Sequence, residues 1–263
     1  MHLRQGLHAV VLLLALLGAT PVWADDLDRI LSGDRVRIGV CLSSEPAGFR
    51  DGEGDPAGYD VDVARQLAAA LGVQLEIVEV TVPTRIAFLL SGRIDIIACN
   101  LTATLDRAAQ VDFSFPYSRT GIKLLVQRGS GIRGFADITS GQKLIVGRGT
   151  TGETAARAFA PGAELVFVES TGEAALKMRS GEAQAYAQDG ALVDFLARSY
   201  PDQLEALPEV YTSDAISFGI RHGNPELLRW LDLFASIFVS SGRYEQTYQK
   251  WWNQPAPELT FVW

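Results

Sequence analysis

The sequence contains few of the residues that bind metal ions or form nucleophile–base pairs. It has two cysteines, Cys41 and Cys99, and three histidines, of which only His222 lies beyond the first ten residues. Two cysteines exclude a disulfide-rich scaffold, and a single histidine cannot supply a His/Cys metal cluster. A Ser-His-Asp triad would depend on His222 alone, which follows a predicted strand. We therefore predict no metal site, no cofactor and no catalytic residue.

Basic charge and long apolar runs are also scarce. The net charge is −8 over 263 residues and no basic run stands out, which argues against nucleic acid or an anionic membrane surface as a partner. The apolar run at residues 9–17 is too short to span a bilayer. It follows Arg4 and precedes Val22-Trp23-Ala24, a pattern typical of a signal peptide, residues 1–24, cleaved after Ala24. We expect an exported protein; a retained membrane anchor is the alternative.

Beyond residue 25 the chain alternates predicted strands and helices. Apolar strands are predicted at residues 36–40, 75–80 and 94–99, with helices at 61–71 and 83–90 between them. The pattern repeats with strands at 144–146, 164–168 and 183–187 and helices at 153–160 and 172–178. Each βαβαβ series predicts a parallel sheet with helices on its faces. The sequence therefore predicts two α/β lobes, with a long amphipathic and a short aromatic helix in residues 225–252 packed on one of them.

Polar residues stand where these predicted strands end. The strand at 94–99 is followed by a polar turn, residues 100–104, and by Arg107 in the first turn of a short helix. Backbone N–H groups and an arginine fork suit a carboxylate, although Arg107 taken alone favours a solvated surface helix with Thr104 as its N-cap. Gln188-Asp189 end a strand in the second lobe. Because ligands of open parallel sheets lie outside the strands' carboxyl ends, we predict a cleft for a ligand carrying both a carboxylate and an ammonium group.

The chain resembles the periplasmic amino-acid-binding proteins of ABC importers, the family 3 solute-binding proteins, over essentially all of the mature chain. The resemblance rests on an ordered set of segments: residues 58–64 (Gly-Tyr-Asp-Val-Asp-Val-Ala), 91–97 (Ser-Gly-Arg-Ile-Asp-Ile-Ile), 102–107 (Thr-Ala-Thr-Leu-Asp-Arg), 111–114 with 116–117, 149–151, 188–189, 218–221 and 251–252. It implies a type II periplasmic-binding-protein-like fold, with lobe 1 at 25–116 and 218–263, hinge crossings at 117–121 and 213–217, and lobe 2 at 122–212. It also implies a periplasmic transport protein that is a monomer and delivers an L-amino acid to a membrane permease.

The resemblance assigns roles to particular residues. Arg107 is expected to bind the ligand's α-carboxylate and Asp189 its α-ammonium. Thr102 would add a hydroxyl and an N–H, Asn100 a backbone carbonyl, and Thr151 a donor from lobe 2. The remaining candidate ligand-binding residues are Thr150, Gly152, Arg85, Arg148 and Ser43.

The loop after the first strand departs from the family pattern. Aromatic residues that commonly stack on the ligand are replaced by Ser44 and Ala47. Arg85 and Arg148 lie where they could reach the ligand side chain, or they could form surface ion pairs instead. We therefore favour a polar or acidic amino acid, such as glutamate, aspartate or glutamine, over an aromatic one.

Three questions stay open at the level of sequence. A cyclohexadienyl dehydratase-like enzyme on the same fold needs an acid in the cleft, but Asp189 is followed by Gly-Ala-Leu, and the nearest acid is Asp194. A ligand-sensing subunit of a signalling system is indistinguishable from a transport protein. Cys41 and Cys99 are expected at the ends of neighbouring strands, where export permits a disulfide but pairing geometry is often poor.

Overall fold

The computed structural model describes residues 25–259. The predicted signal peptide, residues 1–24, lies outside this range. Within residues 25–259 no helix has the length and apolar character needed to cross a bilayer. The described chain is mixed α/β and forms two five-stranded sheets and one two-stranded ribbon.

Helices and strands alternate along most of the described chain, with one short 3₁₀-helix at Phe135–Asp137. The helices are α1 Asp26–Ser32, α2 Tyr59–Leu71, α3 Arg85–Leu90, α4 Leu105–Ala108, α5 Thr151–Phe159, α6 Thr171–Arg179, α7 Gly190–Ser199, α8 Pro225–Ser240 and α9 Arg243–Trp252. The strands are β1 Arg35–Cys41, β2 Phe49–Arg50, β3 Pro56–Ala57, β4 Gln74–Val80, β5 Ile96–Ile97, β6 Asp112–Thr120, β7 Ile122–Gln127, β8 Lys143–Gly147, β9 Glu164–Val168, β10 Ala185–Asp189, β11 Leu204–Ala206 and β12 Asp214–Ile220.

The first sheet has the strand order β4-β1-β5-β12-β6. Strands β4, β1 and β5 are parallel, as the βαβαβ pattern predicts, whereas β12 runs antiparallel to both β5 and β6. The strand predicted at residues 94–99 is shorter than expected, because only Ile96–Ile97 pairs with β1. Strand β6 was not predicted, since Pro116 and several polar residues interrupt its apolar pattern.

The second sheet has the order β11-β7-β10-β8-β9. Its parallel core, β10-β8-β9, corresponds to the second predicted series, and β7 and β11 add antiparallel strands at one edge. The chain passes between the sheets twice: from β6 to β7 at Gly121, and from β11 back to β12. The two lobes are therefore mixed sheets rather than purely parallel ones, and the domain boundaries given above stay predictions.

Each lobe has its own apolar core, and the C-terminal helices complete the first. Helix α8 buries Leu227, Leu231 and Phe234, and α9 buries Tyr248 and Trp252, in a cluster shared with β1, α2 and β12. A helix with an apolar stripe needs such a partner, because burying a large apolar side chain contributes about 1.5–3 kcal/mol. The helices predicted at residues 225–252 thus pack on the first lobe, as expected.

Two features join neighbouring strands of the first lobe. Cys41 and Cys99 form a disulfide with a Cα–Cα distance of 5.1 Å, which settles a pairing that the sequence left open. Asp95, which is fully buried, accepts hydrogen bonds from Arg37 Nη2 at 2.6 Å and from Arg29 Nη2 at 2.7 Å. Burial alone would raise the pKa of Asp95, but the Arg37 and Arg29 bonds hold it below its usual value. The Asp of the Ser-Gly-Arg-Ile-Asp segment is therefore a structural counter-ion.

Candidate functional site

A polar cleft lies between the two lobes, at the ends of their parallel strands. It encloses about 470 Å³, counting its opening to solvent. Seven of the candidate ligand-binding residues line this cleft: Arg85, Asn100, Thr102, Arg107, Thr150, Thr151 and Asp189. Ser44 and Ala47 also line it, and no aromatic ring does among the described residues. The strand-end residues of two separate sheets therefore converge as the topology predicts.

Arg107 is positioned by a tight local turn. Thr104 caps helix α4 by accepting from the Arg107 N–H at 3.3 Å, and Arg107 Nη1 donates to the Thr102 carbonyl at 2.7 Å. Its other terminal nitrogen donates to the Gly149 carbonyl of the second lobe at 2.9 Å. Burial lowers the pKa of Arg107, while Asp189 and Asp214 act in the opposite direction. Within residues 25–259 no carboxylate forms an ion pair with this guanidinium, so it can receive one from a ligand.

Asp189 ends strand β10 on the opposite side of the cleft. Its Oδ2 accepts from Asn100 Nδ2 at 2.5 Å, but its buried Oδ1 has no hydrogen-bond partner in the described chain. Burial and the nearby Asp214 charge raise the pKa of Asp189 to about 7. An unpartnered buried carboxylate oxygen is unfavourable, and an ammonium group would supply both the missing donor and the counter-charge.

Asn100 reaches Asp189 because its backbone is left-handed. Its φ of 43° lies in a region that asparagine tolerates better than most residues. The side-chain amide therefore bridges the first lobe to Asp189. The resemblance implied a role for the Asn100 backbone carbonyl only, so this side-chain contact is an additional observation.

The start of helix α5 forms the second lobe's part of the cleft. Thr150 caps the helix: its Oγ1 accepts from the Glu153 N–H at 3.1 Å and donates to the Gly147 carbonyl at 2.7 Å. Thr151 lies beside Asp214. Burial raises the pKa of Asp214, although hydrogen bonds from Thr212 and Thr151 and the Arg107 charge act in the opposite direction. This helix start supplies oriented N–H groups next to Arg107, which favours an anion there.

Arg85 forms the floor of the cleft. It is 4% exposed, and its Nη1 donates to the Cys99 carbonyl at 2.6 Å. Burial lowers its pKa to about 9, helped by the Arg107 charge. The surface ion pair considered for Arg85 from sequence is absent within residues 25–259, and the side chain lies in the cleft instead.

Three candidates lie outside this cleft. Ser43 and Arg148 line a neighbouring cavity, where the Arg148 guanidinium lies 4.1 Å from the centre of the Phe167 ring. Gly152 is not among the cleft-lining residues, and a Cβ there would come within 2.5 Å of the Ala187 carbonyl oxygen. Gly152 therefore permits close packing of α5 against β10.

Sequence reasoning missed two acidic residues of the site. Asp60 lines the cleft at 2% exposure and accepts from the Tyr117 hydroxyl at 2.9 Å. Burial raises the pKa of Asp60 to about 6, although the hydrogen bonds from Tyr117 and Asn100 act to lower it. Asp214 lies at the start of β12 near Arg107. Asp214 is not a cleft-lining residue, but its charge acts on both Arg107 and Asp189. Asp60 belongs to a segment that carried the resemblance, but nothing local to it indicates that it faces the cleft.

The two lobes contact each other across the cleft. Arg107 bonds to Gly149, Asn100 bonds to Asp189, and the Thr171 N–H donates to the Ser43 carbonyl at 3.1 Å. Leu192 of helix α7 packs into the apolar cluster of the first lobe. These contacts describe a closed arrangement, in which groups from both lobes face the same enclosed space.

Comparison with known proteins agrees with this geometry. Residues 36–254 match the family model for bacterial extracellular solute-binding proteins, family 3. The chain is 30% identical over 239 residues to the ABC transporter glutamine-binding protein GlnH of Bacillus subtilis (strain 168), covering 89% of this chain and 87% of that protein. It is 25% identical over 250 residues to the glutamate/aspartate import solute-binding protein of Salmonella typhimurium (strain LT2), covering 90% and 82%.

A solved structure shares the fold. The ancestral amino acid-binding protein AncCDT-1, described as a precursor of cyclohexadienyl dehydratase, superposes with a TM-score of 0.82 at 33% identity, covering 86% of this chain and 99% of that one. The fold and cleft therefore define a two-lobed binding protein of the type II periplasmic class. The chain belongs to the bacterial extracellular solute-binding proteins, family 3.

Proposed function

We propose that this protein captures an L-α-amino acid with a polar or acidic side chain between its two lobes. The observation that supports the proposal is that two oppositely charged groups, Arg107 and Asp189, face the cleft and each lacks a partner for its charge. In the described part of the chain, Arg107 has carbonyl partners but no carboxylate, and Asp189 has a buried oxygen without a donor. A zwitterion supplies the missing partner of each.

The α-carboxylate would lie against Arg107, Thr102 and the start of helix α5. Arginine can donate two parallel hydrogen bonds to a carboxylate, and the N-terminal N–H groups of the helix favour negative charge. The α-ammonium would lie against Asp189. Its positive charge would lower the pKa of that carboxyl from about 7, so binding near neutral pH should release a proton.

Arg85 would donate hydrogen bonds to the ligand side chain and so select for a polar or acidic one. Within residues 25–259 its hydrogen bonds involve Nη1 alone, to Cys99, which leaves donors for a side-chain carboxylate or carboxamide. The absence of rings among the described cleft-lining residues disfavours an aromatic ligand. Relatives named as glutamine-binding and glutamate/aspartate-binding proteins support this side-chain class, whereas others are named as L-cystine-binding and L-arginine-binding proteins.

We further propose that the closed, ligand-bound form delivers the amino acid to the permease of an ABC importer, and that the protein acts in the periplasm as a monomer. The family membership and the predicted signal peptide support this role. A ligand-sensing subunit of a signalling system is the alternative, and binding measurements alone would not distinguish it from a transport protein. An enzymatic role on the same fold is the other alternative: Asp194, the acid nearest to Asp189 in sequence, is paired with Lys123 and is not a cleft-lining residue. Asp60 and Asp189 do line the cleft, and burial raises the pKa of both.

Calorimetry with a panel of L-amino acids tests the proposal. Glutamate, aspartate or glutamine should bind wild-type protein, and Arg107→Ala should weaken that binding at least about 100-fold, because removing one partner of a buried charge pair typically costs 3–5 kcal/mol. The exposed Arg133 serves as the control, and Arg133→Ala should bind like wild type. Tight binding of phenylalanine or tryptophan alone, unchanged affinity in Arg107→Ala, or product formation from prephenate would each contradict the proposal.

A further inference from the structure

The Cys41–Cys99 disulfide forms part of the wall of the amino-acid cleft. Both cysteines line it, Cys41 at 6% exposure and Cys99 at 1%. Cys41 ends strand β1, and Cys99 directly precedes Asn100, whose side chain bonds to Asp189. The disulfide therefore lies at the boundary between an apolar cluster of the first lobe and the proposed ligand site.

Arg85 contacts one sulfur of this disulfide. Its Nη1 lies 3.7 Å from Cys99 Sγ and also donates to the Cys99 carbonyl at 2.6 Å. In the described part of the chain no carboxylate forms an ion pair with Arg85, and Asp189 and Asp60 act on its charge only at longer range. A buried guanidinium without an adjacent anion is therefore next to the Cys99 sulfur.

Reduction would change the charge of that sulfur. A dithiol supplies the two electrons: one of its sulfurs attacks a cysteine, the other cysteine leaves, and the second sulfur then closes the reductant into a cyclic disulfide. Cys41 is the more exposed of the pair, so Cys99 is the leaving group. A thiol next to an arginine ionises more readily. Of the two protons that the dithiol gives up, one therefore ends on Cys41 and one in solvent, and Cys99 remains a thiolate.

The Cys99 thiolate and the ligand side chain would compete for the Arg85 charge. Within residues 25–259 the hydrogen bonds of Arg85 involve Nη1 alone, so in the oxidised protein its remaining donors can serve a side-chain carboxylate. A thiolate at Nη1 would neutralise the guanidinium and weaken that attraction. The two backbone charges of the ligand depend on Arg107 and Asp189 instead, so a small neutral amino acid would not need Arg85.

We infer that the Cys41–Cys99 disulfide sets the side-chain preference of the cleft: the oxidised protein selects an acidic amino acid through Arg85, and the reduced protein loses this selection because the Cys99 thiolate pairs with Arg85. The inference rests on the proposed function. It deepens that function by making Cys99 a residue that determines specificity and by making the preference depend on the oxidation state of the protein.

Calorimetry with L-glutamate and L-serine tests the inference, because the two molecules share the α-amino-carboxylate and differ in side-chain charge. Oxidised wild-type protein should bind L-glutamate at least about tenfold more tightly than L-serine, as expected for one charge-assisted hydrogen bond. Reduction by a dithiol, removed afterwards without admitting air, should abolish most of this preference. The affinity for L-serine should change by no more than about twofold.

Two variants separate the thiolate charge from the loss of the cross-link. Cys41→Ser and Cys99→Ser both lack the disulfide, and the chain has no other cysteine, but only Cys41→Ser leaves a thiol beside Arg85. Cys41→Ser should therefore bind like the reduced protein, and its ultraviolet absorbance at neutral pH should show a thiolate. Cys99→Ser is the matched control and should keep the preference for L-glutamate.

Four results would overturn the inference: no preference for L-glutamate in the oxidised protein, an unchanged preference after reduction, the same preference in both variants, or a neutral thiol in Cys41→Ser at neutral pH. In each of these cases the oxidised protein still binds an amino acid, and the proposed function stands. If the oxidised wild-type protein binds no amino acid, the proposed function fails and the inference fails with it.

Discussion

Replacing Asp189 by asparagine should make the ligand-free protein more stable and at the same time abolish tight ligand binding. Asp189 is 8% exposed, and one of its carboxylate oxygens has no partner in the described chain. Burial and the Asp214 charge therefore raise its pKa from 3.8 to about 7. Asparagine keeps the shape and cannot ionise, so it removes this penalty.

The sign and size of the effect follow from the pKa. The folded state holds a proton on Asp189 between about pH 4 and pH 7 that the unfolded state has lost, so stability falls as pH rises through that window. A shift from 3.8 to about 7 corresponds to about 4 kcal/mol at pH 8. Some of this is offset, because the Asn100 amide then donates to a neutral oxygen. We expect Asp189→Asn to exceed wild type by about 2–4 kcal/mol at pH 8 and to match it near pH 4.

Urea denaturation across pH 4–8 measures the stability difference, with the exposed Asp202→Asn as control. Ligand should reverse the order: at 1,000 times its Kd it adds about 4.1 kcal/mol to wild type and nothing to the variant. A dicarboxylate without an amine, such as 2-oxoglutarate, should lose far less affinity than glutamate. A variant less stable than wild type at pH 8, or a difference independent of pH, would refute the reasoning.

Two further predictions concern the first lobe. Asp95→Asn should lower the free energy of unfolding by about 1–3 kcal/mol, because the Arg37 and Arg29 guanidinium groups, which are partly exposed, would lose their counter-ion. Urea denaturation measures this, and a loss no larger than that of the exposed Glu226→Gln would contradict it. The Cys41–Cys99 disulfide joins residues that are 58 positions apart in the chain, so its reduction should lower the free energy of unfolding by about 4 kcal/mol. Reduction should also weaken ligand binding, because Arg85 is held by its contact with Cys99. Two free thiols in the denatured, unreduced protein would contradict the pairing.

Much of the fold was predictable because local patterns were strong. The strand predicted at residues 164–168 coincides with β9, and that at 75–80 differs from β4 by one residue. Their apolar runs are bounded by turn residues that end them. The helix predicted at 61–71 ends at Gly72, whose φ of 73° suits glycine at a helix C-terminus.

Strand β6 was not predictable in the same way. Strand β6 contains Pro116 and alternates irregularly, and it becomes a strand because β12 pairs with it from residue 112 to residue 120. That partner arrives about a hundred residues later in the chain, after the whole second lobe. Pairing of this kind depends on where the chain returns, which the sequence of β6 does not encode.

The residues of the candidate site likewise differ in whether the sequence alone predicts them. Arg107 and Asp189 could be predicted as cleft residues from sequence alone, because each follows or ends a strand and strand ends meet at one edge of a sheet. Asp60 could not, because it comes from a helix start, and the effect of the Asp214 charge on the site could not, because Asp214 comes from a returning strand. The tertiary structure also decided the chemistry of the predicted residues: Asp189 is buried near Asp214, Asn100 and Arg107, and the pKa of its carboxyl depends on those distant neighbours.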